Sequence, residues 1–506
     1  MCPLKILPVE SIRQLDAYTI SNEPVKSTDL MERAAIECYE WISNAVKVGS
    51  SFKVVCGMGN NGGDGLAIAR MLHKDGHSVE VFYIRHSKEA SEDNKKNFDR
   101  IADVAGLIVT EVFEDDSEIE INEEEIVIDA LLGSGLNKPA TGFLADIIKQ
   151  INQSNGYVIA IDIPSGLFAD LPSQVTKSSA IIRADYTLTF QLPKLAFFMP
   201  ENDKYVGKWE VLDIKLSNEF IHEADCSNYL TTRNDCKTIF RPRTTFSHKG
   251  TYGHALVIAG SLGKVGASLL AAKAALHAGA GLVTAHVPMC GMNAIHTAVP
   301  ELMLSLDDSE THITNLPDLS PYNAITFGPG VDKQPETQKT LKLLIQVTKV
   351  PLIIDADGLN ILSENKTWLP FLPPDSILTP HLKEFERLTS PTDNHFNRIE
   401  ILKAFAQRHR LYVILKGAWS AIACPDGTVY FNSTGNPGLA TAGTGDVLTG
   451  ILTGLMASGY DAKEACILGT WLHGKSADIA VKRDAQPSLV ASDVIKYLGK
   501  AFRKLE

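Results

Sequence analysis

Apolar positions along the chain switch between two periods. Ser11–Tyr18 and Thr28–Val46 carry them at helical spacing, and Thr28-Asp29 opens the second segment as a cap pair. Short β-rich runs follow at Lys53–Cys56, Val79–Ile84, Ile126–Ala130, Val158–Ile163, Tyr186–Phe190 and Trp209–Ile214. Helical segments separate most of them, so the pattern predicts a mostly parallel, doubly wound sheet with ligands at strand C-termini. A second series begins at His254–Ala259 and continues at Leu282–Val287, Ala324–Phe327, Leu352–Asp355, Ser376–Leu378, Tyr412–Leu415 and Ala421–Cys424. An alanine-rich helix is expected over Ser268–His277 and an apolar one over Val447–Met456. Between the series, Ser217–Lys237 is polar, charge-mixed and aperiodic. The chain therefore divides, by expectation, into a domain over 1–220, a linker over 221–240 and a domain over 241–506.

Composition fits that picture and narrows the function. With 44% hydrophobic and 21% charged residues, 37 glycines and 24 prolines, the 506-residue chain has an ordinary globular α/β profile. A net charge of −12 and a pI near 5.7 oppose a nucleic-acid or anionic-membrane surface. Anionic ligands would have to be held by local N–H nests and a few lysines. The eight cysteines are scattered without paired spacing, which reads as a reducing cytoplasm. The N-terminal residues hold no sustained apolar stretch and no 18 consecutive apolar residues occur, so neither secretion nor a membrane span is expected.

Three strand ends of the first series carry chemistry. Gly57-Met-Gly-Asn60-Asn61-Gly62-Gly63-Asp64-Gly65 follows Lys53–Cys56, and helical Leu66–Leu72 follows it. Its two amides and a carboxylate depart from the ordinary dinucleotide fingerprint; they suit a polar ring, a carboxamide or a hard cation, or else simply form an Asn/Gly turn. Gly133-Ser134-Gly135-Leu136-Asn137-Lys138-Pro139 follows the strand holding Asp129, with a lysine placed to meet phosphate. Asp162 ends an apolar strand before Pro164-Ser165-Gly166, where a carboxylate is costly unless paired or functional.

The second series repeats the design. Gly328-Pro-Gly330, Asp355-Ala-Asp357, Thr379-Pro-His381 with Glu384, and Lys416-Gly417 each follow a strand. Taken singly, His381 reads as a core or cap histidine and Lys416 as a surface lysine. Thr434-Gly-Asn-Pro-Gly438 and Gly443-Thr-Gly445-Asp446 then lead into an apolar helix whose positive end suits phosphate. Asp446 reads either as a cap residue or as a base at that helix mouth. No internal repeat of fixed period stands out.

These motifs carry a family resemblance. Gly59–Gly65, Asp129 with Gly133–Leu136, and Asp162–Gly166 are similar to the NAD(P)H-hydrate epimerase domain over roughly residues 10–216. The resemblance implies that Asn60–Asp64, Gly133–Pro139 and Asp162 contact the hydrated dinucleotide (NADHX or NADPHX), and that Asn61, Asp129 and Ser165 bind K+. Ser247-His-Lys-Gly250, Gly266-Ala267, Gly279-Ala-Gly-Leu282 and the strand-end motifs above resemble the NAD(P)H-hydrate dehydratase domain of the ribokinase-like fold. That resemblance implies substrate contacts at Ala267, Gly330, His381 and Asp446. It also implies adenine-nucleotide contacts at Lys416, Gly417, Ala418, Trp419, Ser420 and Gly445. It departs from the pattern at Trp419, where a smaller or more polar residue is expected.

The order of domains resembles the bacterial fused NAD(P)H-hydrate repair enzymes, which implies an N-terminal Rossmann-like three-layer domain, a C-terminal ribokinase-like domain, ADP as co-substrate, Mg2+ at the dehydratase site, and a homo-oligomer. Asp446 is then the base that lets the hydrate hydroxyl attack ADP, with phosphate leaving by elimination, while Asp162 serves epimerisation. Two rivals stay open. One is a ribokinase-like small-molecule kinase that releases a stable phosphoester; the other makes the N-terminal half a nucleotide-binding module without chemistry.

Overall fold

The structure is a computed structural model. It describes residues 4–506 apart from Pro24, Asp116, Ser117, Gln174, Val175 and Lys177. The chain divides into two compact units, Lys5–Cys226 and Ser227–Glu506 with Leu4, where the sequence led us to expect a linker over 221–240. That stretch is structured: helix Asn218–Glu223, strand Asn228–Thr231 and helix Arg233–Ile239 occupy it. Their short lengths and polar surfaces explain the missing periodic signal.

The N-terminal unit is built on a seven-stranded sheet. In spatial order its strands are Ile108–Val112, Ser78–Ile84, Ser51–Cys56, Ile126–Ala130, Tyr157–Ile161, Tyr186–Phe190 and Lys208–Leu212, all parallel. Chain order reverses direction beside Ser51–Cys56, which is where a doubly wound sheet opens a crevice at its strand C-termini. The edge strand Ile108–Val112 escaped the sequence pattern because only Val112 is buried. One apolar layer packs Ala35, Cys38, Ile42, Leu66, Ile68 and Leu72 on the sheet; another packs Ile147, Ile148 and Ile151.

Helix Asn60–Lys74 corrects the expectation of a loop over 57–65. Three glycines in the first turns argue for a loop by propensity alone. Packing overrides that preference: a Cβ at Gly62 would stand 1.9 Å from the Gly57 carbonyl oxygen, and one at Gly65 2.5 Å from the Ala130 side chain.

In the C-terminal unit the sheet runs Asn228–Thr231, Val429–Asn432, Ala421–Ala423, Tyr412–Leu415, Ile377–Leu378, Leu352–Ile354, Ala324–Phe327, His254–Ile258, Leu282–Val287 and Met303–Leu306. Pairing is parallel except around the hairpin strand Ala421–Ala423, which is antiparallel to both neighbours. Helices Val265–His277 and Thr444–Ala457 pack closely, because Gly450 and Gly454 face Ala271, Ala274, Ala275 and Ala278. A Cβ at Gly450 would lie 2.1 Å from the Ala271 carbonyl oxygen. That contact fixes the height of the first turn of Thr444–Ala457, which carries Asp446. No helix among the described residues is long and apolar enough to cross a membrane.

Candidate active sites

In the N-terminal unit three strand ends meet at one cleft. The turn Gly57–Gly59 is held from the side by Asn94, whose Nδ2 donates to the carbonyls of Gly57 (2.9 Å) and Gly59 (2.8 Å). His86 Nε2 accepts from Met58 N at 3.2 Å. This brace aims the first turn of helix Asn60–Lys74 at the next strand end, where Asn61 Nδ2 donates to Leu132 O (3.1 Å). The Asn61 Oδ1 atom is buried and accepts no hydrogen bond.

Asp129, fully buried, sits behind it. Its Oδ2 accepts from Ser165 N at 2.8 Å, and its Oδ1 from Ser165 Oγ at 2.5 Å and Leu131 N at 3.3 Å. Burial pushes its carboxyl up to about 6 despite those donors. Asn61, Asp129 and Ser165 thus gather an orphaned amide oxygen, an under-compensated carboxylate and a hydroxyl. The donor set fits a hard monovalent cation, which takes oxygen ligands of mixed type.

Asp162 ends its strand in a left-handed conformation, φ 66°. Its Oδ1 receives Lys194 Nζ at 2.5 Å and its Oδ2 receives Ser134 N at 3.4 Å. Burial alone would raise this carboxyl, but Lys194 and Ser134 outweigh it and hold it below its ordinary value. Asp64 and Asp16 go the other way. Burial and the neighbouring charges of Asp162 and Asp16 push Asp64 well up, and burial with Asp162 pushes Asp16 to about 6. Asn60, Asn137 and Lys138 are exposed on the rim, and Leu136 and Pro139 are half-buried. Lys194, Asp16 and Asn94 were not singled out in the sequence. Pro193-Lys194 follows strand Tyr186–Phe190, so the rule used at the other strand ends reaches it; Asp16 and Asn94 lie inside helices and gave no such signal.

In the C-terminal unit Asp446 lies in the first turn of Thr444–Ala457. Gly443, at φ 88°, occupies the cap position, and no side chain caps the helix. The capping reading of Asp446 therefore falls. Burial, then repulsion from Asp355, pushes its carboxyl up to about 7, with Lys416 offsetting part.

Lys416 is no surface lysine. Its Nζ reaches Asp355 Oδ1 at 3.0 Å, while Asp355 Oδ2 accepts from Thr449 Oγ1 at 2.7 Å. A Cβ on Gly445 would lie 3.5 Å from Lys416 Nζ, so the ammonium faces the glycine turn. Asp355 stays below its ordinary value: burial opposes this, and Lys416 and Thr449 outweigh it.

His381 caps helix Leu382–Leu388 through Nδ1, which accepts from Lys383 N (3.1 Å) and Glu384 N (3.4 Å). Burial and Lys416 lower its proton affinity, and because Nδ1 accepts, the ring N–H lies on Nε2. Gly330 and Ala267 face each other, a Cβ on Gly330 falling 3.1 Å from Ala267 Cβ. Gly417 and Ala418 are exposed at a hairpin turn, closed by Ser420 Oγ against Gly417 N (3.3 Å), with Trp419 half-buried. His473, buried, contacts the Thr444 carbonyl through Nε2 at 2.9 Å and braces the same turn; lying in a long apolar helix, it went unnoticed in the sequence.

Fold and strand-end chemistry define a two-unit α/β enzyme of the nucleotide-handling class, its C-terminal unit ribokinase-like. The family model described as NAD(P)H-hydrate dehydratase matches residues 255–500, and that described as YjeF-related protein N-terminus matches 27–196. The bifunctional NAD(P)H-hydrate repair enzyme of Moorella thermoacetica is 35% identical, over 97% of this chain and 96% of its own. That of Thermofilum pendens is 35% identical over 99% and 97%, and that of Escherichia coli 29% identical over 93% and 89%. A solved ADP/ATP-dependent NAD(P)H-hydrate dehydratase from Bacillus subtilis, co-crystallised with ATP/Mg2+, is 30% identical and covers 55% of this chain and 98% of its own, with a TM-score of 0.49. The chain belongs to the bifunctional NAD(P)H-hydrate repair enzymes.

Proposed function

We propose that the N-terminal unit interconverts the R and S hydrates of NADH and NADPH, and that the C-terminal unit dehydrates the S form at the expense of ADP, giving AMP and phosphate. The observation that carries this reading is Asp446. It is a carboxylate raised to about 7, at a helix N-terminus, beside a glycine turn and a half-buried lysine.

Hydroxide is a poor leaving group near neutrality, and phosphorylation removes that obstacle. Asp446 accepts the C6 hydroxyl proton as the oxygen attacks the terminal phosphoryl of ADP, breaking its bond to the bridging oxygen. The N–H groups of Gly443–Gly445 and the Lys416 ammonium face the charge on the transferring group. Phosphate then leaves as the ring loses a proton, and the reduced nicotinamide returns. Ala267, Gly330 and His381 are assigned to the substrate side, and Lys416–Ser420 with Gly445 to the nucleotide side.

In the epimerase site the hydrate carries a hydroxyl and the ring nitrogen on one carbon. Asp162 takes the hydroxyl proton, the carbon–nitrogen bond opens to an aldehyde with its electron pair on the nitrogen, and closure on the other face returns the proton to oxygen. Asn60–Asp64 and Gly133–Pro139 hold the dinucleotide. Asn61, Asp129 and Ser165 would hold K+, which supplies a fixed positive charge beside the Asn61 turn.

Among the described residues no three His, Cys, Asp or Glu side chains cluster to hold a metal. Mg2+ at the dehydratase site would thus arrive on the nucleotide's phosphates, as this ion commonly does. We further read the enzyme as a cytoplasmic homo-oligomer with no nucleic-acid partner; the acidic charge balance supports the last of these.

Incubation with purified S hydrate and ADP tests the whole. Phosphate, AMP and the near-ultraviolet absorbance of the reduced ring should appear together. A stable phosphoester without recovery of the reduced ring would instead make the C-terminal unit a small-molecule kinase.

A further inference from the structure

Lys194 is 1% exposed, so its ammonium has left water and must be compensated by protein groups. It follows strand Tyr186–Phe190 and precedes the turn Leu195–Phe198. The neighbouring strand, Tyr157–Ile161, leads directly into Asp162, whose N–H donates to Leu188 O at 2.7 Å. Lys194 Nζ therefore reaches sideways across one strand spacing. It donates to Asp162 Oδ1 at 2.5 Å and to Thr189 Oγ1 at 2.7 Å.

That clamp divides the two oxygens of Asp162. Oδ2 points to the other side, toward Ser134 N and a Cβ position on Gly133 that also lies 3.1 Å from Asn61 Cβ. It faces the cleft assigned to the hydrate. We propose that Lys194 is a positioning residue of the epimerase reaction, fixing Asp162 with one oxygen clamped and the other presented to the substrate.

The surroundings make such a cation necessary. Asp16 faces Asp162 from helix Val9–Asn22, Asp64 from helix Asn60–Lys74 and Cys38 from helix Ser27–Ala45, and Asp170 lies within the field of Lys194. The groups other than Lys194 are acids; Asp16 and Asp64 would, when charged, raise the proton affinity of Asp162, and none of the acids offers it a compensating positive charge. Lys194 holds the charge on Asp162, and burial together with that charge raises the proton affinity of Asp16 and Asp64, Lys194 itself offsetting part of the rise at Asp16. One carboxylate then accepts a proton in a setting where its neighbours keep theirs, which is the separation of roles an acid–base site requires.

This rests on the reading of Asp162 as base. The test is the pH dependence of epimerisation by the full-length enzyme, with circular dichroism and the thermal transition of the N-terminal unit as the folding control and dehydration of the S hydrate as the control for enzyme concentration in each sample. Lys194→Met should lower kcat about 100-fold with KM within about 3-fold, and move the acidic limb upward by about one pH unit or more, since a lost opposite charge raises a carboxyl's proton affinity by that order. Lys194→Arg should keep the limb within about half a unit. Thr189→Val, which removes only the second acceptor, gives a milder variant and should move the limb by less in the same direction. An unmoved limb in Lys194→Met and Thr189→Val, with the thermal transition of the N-terminal unit intact, overturns the proposal. If Asp162→Ala epimerises normally, the reading of the base fails instead.

Discussion

Replacing Asp446 with asparagine should make the protein more stable and far less active, and the gain in stability should depend on pH. The carboxyl has an ordinary value of 3.8 and rises to about 7 in the folded chain. Between those values the folded state binds the proton more tightly than the unfolded state. This group's contribution to stability is thus complete below about 3.8, declines as pH rises, and is gone above about 7. At roughly 1.4 kcal/mol per tenfold change in proton affinity the ceiling is about 4 kcal/mol. Asp446 is only partly buried, and solvent screening reduces this to on the order of 1–3 kcal/mol. Asp446→Asn carries no charge and avoids the penalty. Parallel thermal melts from pH 5 to 8, following the transition that added ADP shifts, should show the variant's advantage widening with pH and levelling above about 7. Dehydration should fall by about 100-fold or more, the amide being unable to take the hydroxyl proton, while epimerisation is untouched. Wild-type dehydration should itself lose its acidic limb near pH 7. A stability gap that stays flat across that range, or a variant with near-normal turnover, refutes the assignment.

Three further outcomes are expected. Asp129→Ala should lose epimerase activity chiefly by losing K+, so raising potassium restores part of it, whereas Asp162→Ala should not respond to salt; equal rescue of both would place the base on the wrong carboxylate. Gly450→Ala should destabilise the C-terminal unit by about 3 kcal/mol in urea unfolding, because its Cβ would press 2.1 Å from the Ala271 carbonyl oxygen between two packed helices; an unchanged midpoint would show that the helices can part freely. Ala356, at φ 50° and ψ −119°, occupies a conformation suited to glycine, so Ala356→Gly should raise the melting temperature by the equivalent of about 1 kcal/mol, and a lower one would mean that no strain is stored there.

The alternation of short apolar runs with helical segments was enough to place most strands to within a residue or two. Tyr186–Phe190, Leu282–Val287 and Tyr412–Leu415 fall where the pattern predicts them, since buried parallel strands read as continuous β-branched runs. Strands whose surroundings are mixed did not show: Met303–Leu306 is at most half-buried, and Asn228–Thr231 sits in a polar segment. Helix Asn60–Lys74 was hidden for a different reason. Its glycines are there for close approach to Gly57, Met31 and Ala130, and a single sequence cannot distinguish glycine for packing from glycine for a turn. The strand-end residues Asp129, Asp162 and Asp355 were legible because a carboxylate in apolar company is conspicuous, and Asp446 because it joins a glycine turn to an apolar helix. Which lysine pairs with which aspartate was not legible, because pairing happens across the sheet: Lys194 is 32 residues from Asp162, and Lys416, noted only for its own strand end, is 61 from Asp355.

The two units nevertheless reach the same electrostatic solution on different sheets. In each, a lysine just beyond a strand end turns inward to a strand-end aspartate: Lys194 to Asp162 at 2.5 Å, Lys416 to Asp355 at 3.0 Å. In each, that aspartate stays below its ordinary value although burial opposes it, and a further carboxylate close by is pushed up, Asp64 and Asp16 in one unit and Asp446 in the other. A buried lysine–aspartate pair contributes little net stability once desolvation is counted. Its consequence here is a fixed dipole at the mouth of the sheet, which sets which neighbouring carboxylate is charged near neutrality. Under the proposed mechanism the units differ in which member reacts. In the epimerase site the paired aspartate faces the cleft, and its low proton affinity suits a reaction that returns the proton it takes. In the dehydratase site the unpaired Asp446 faces the glycine turn, and its affinity near 7 suits the irreversible removal of a hydroxyl proton during phosphoryl transfer. The pH profiles of the two activities should accordingly separate, dehydration losing its acidic limb at a pH where epimerisation by the same molecule still runs.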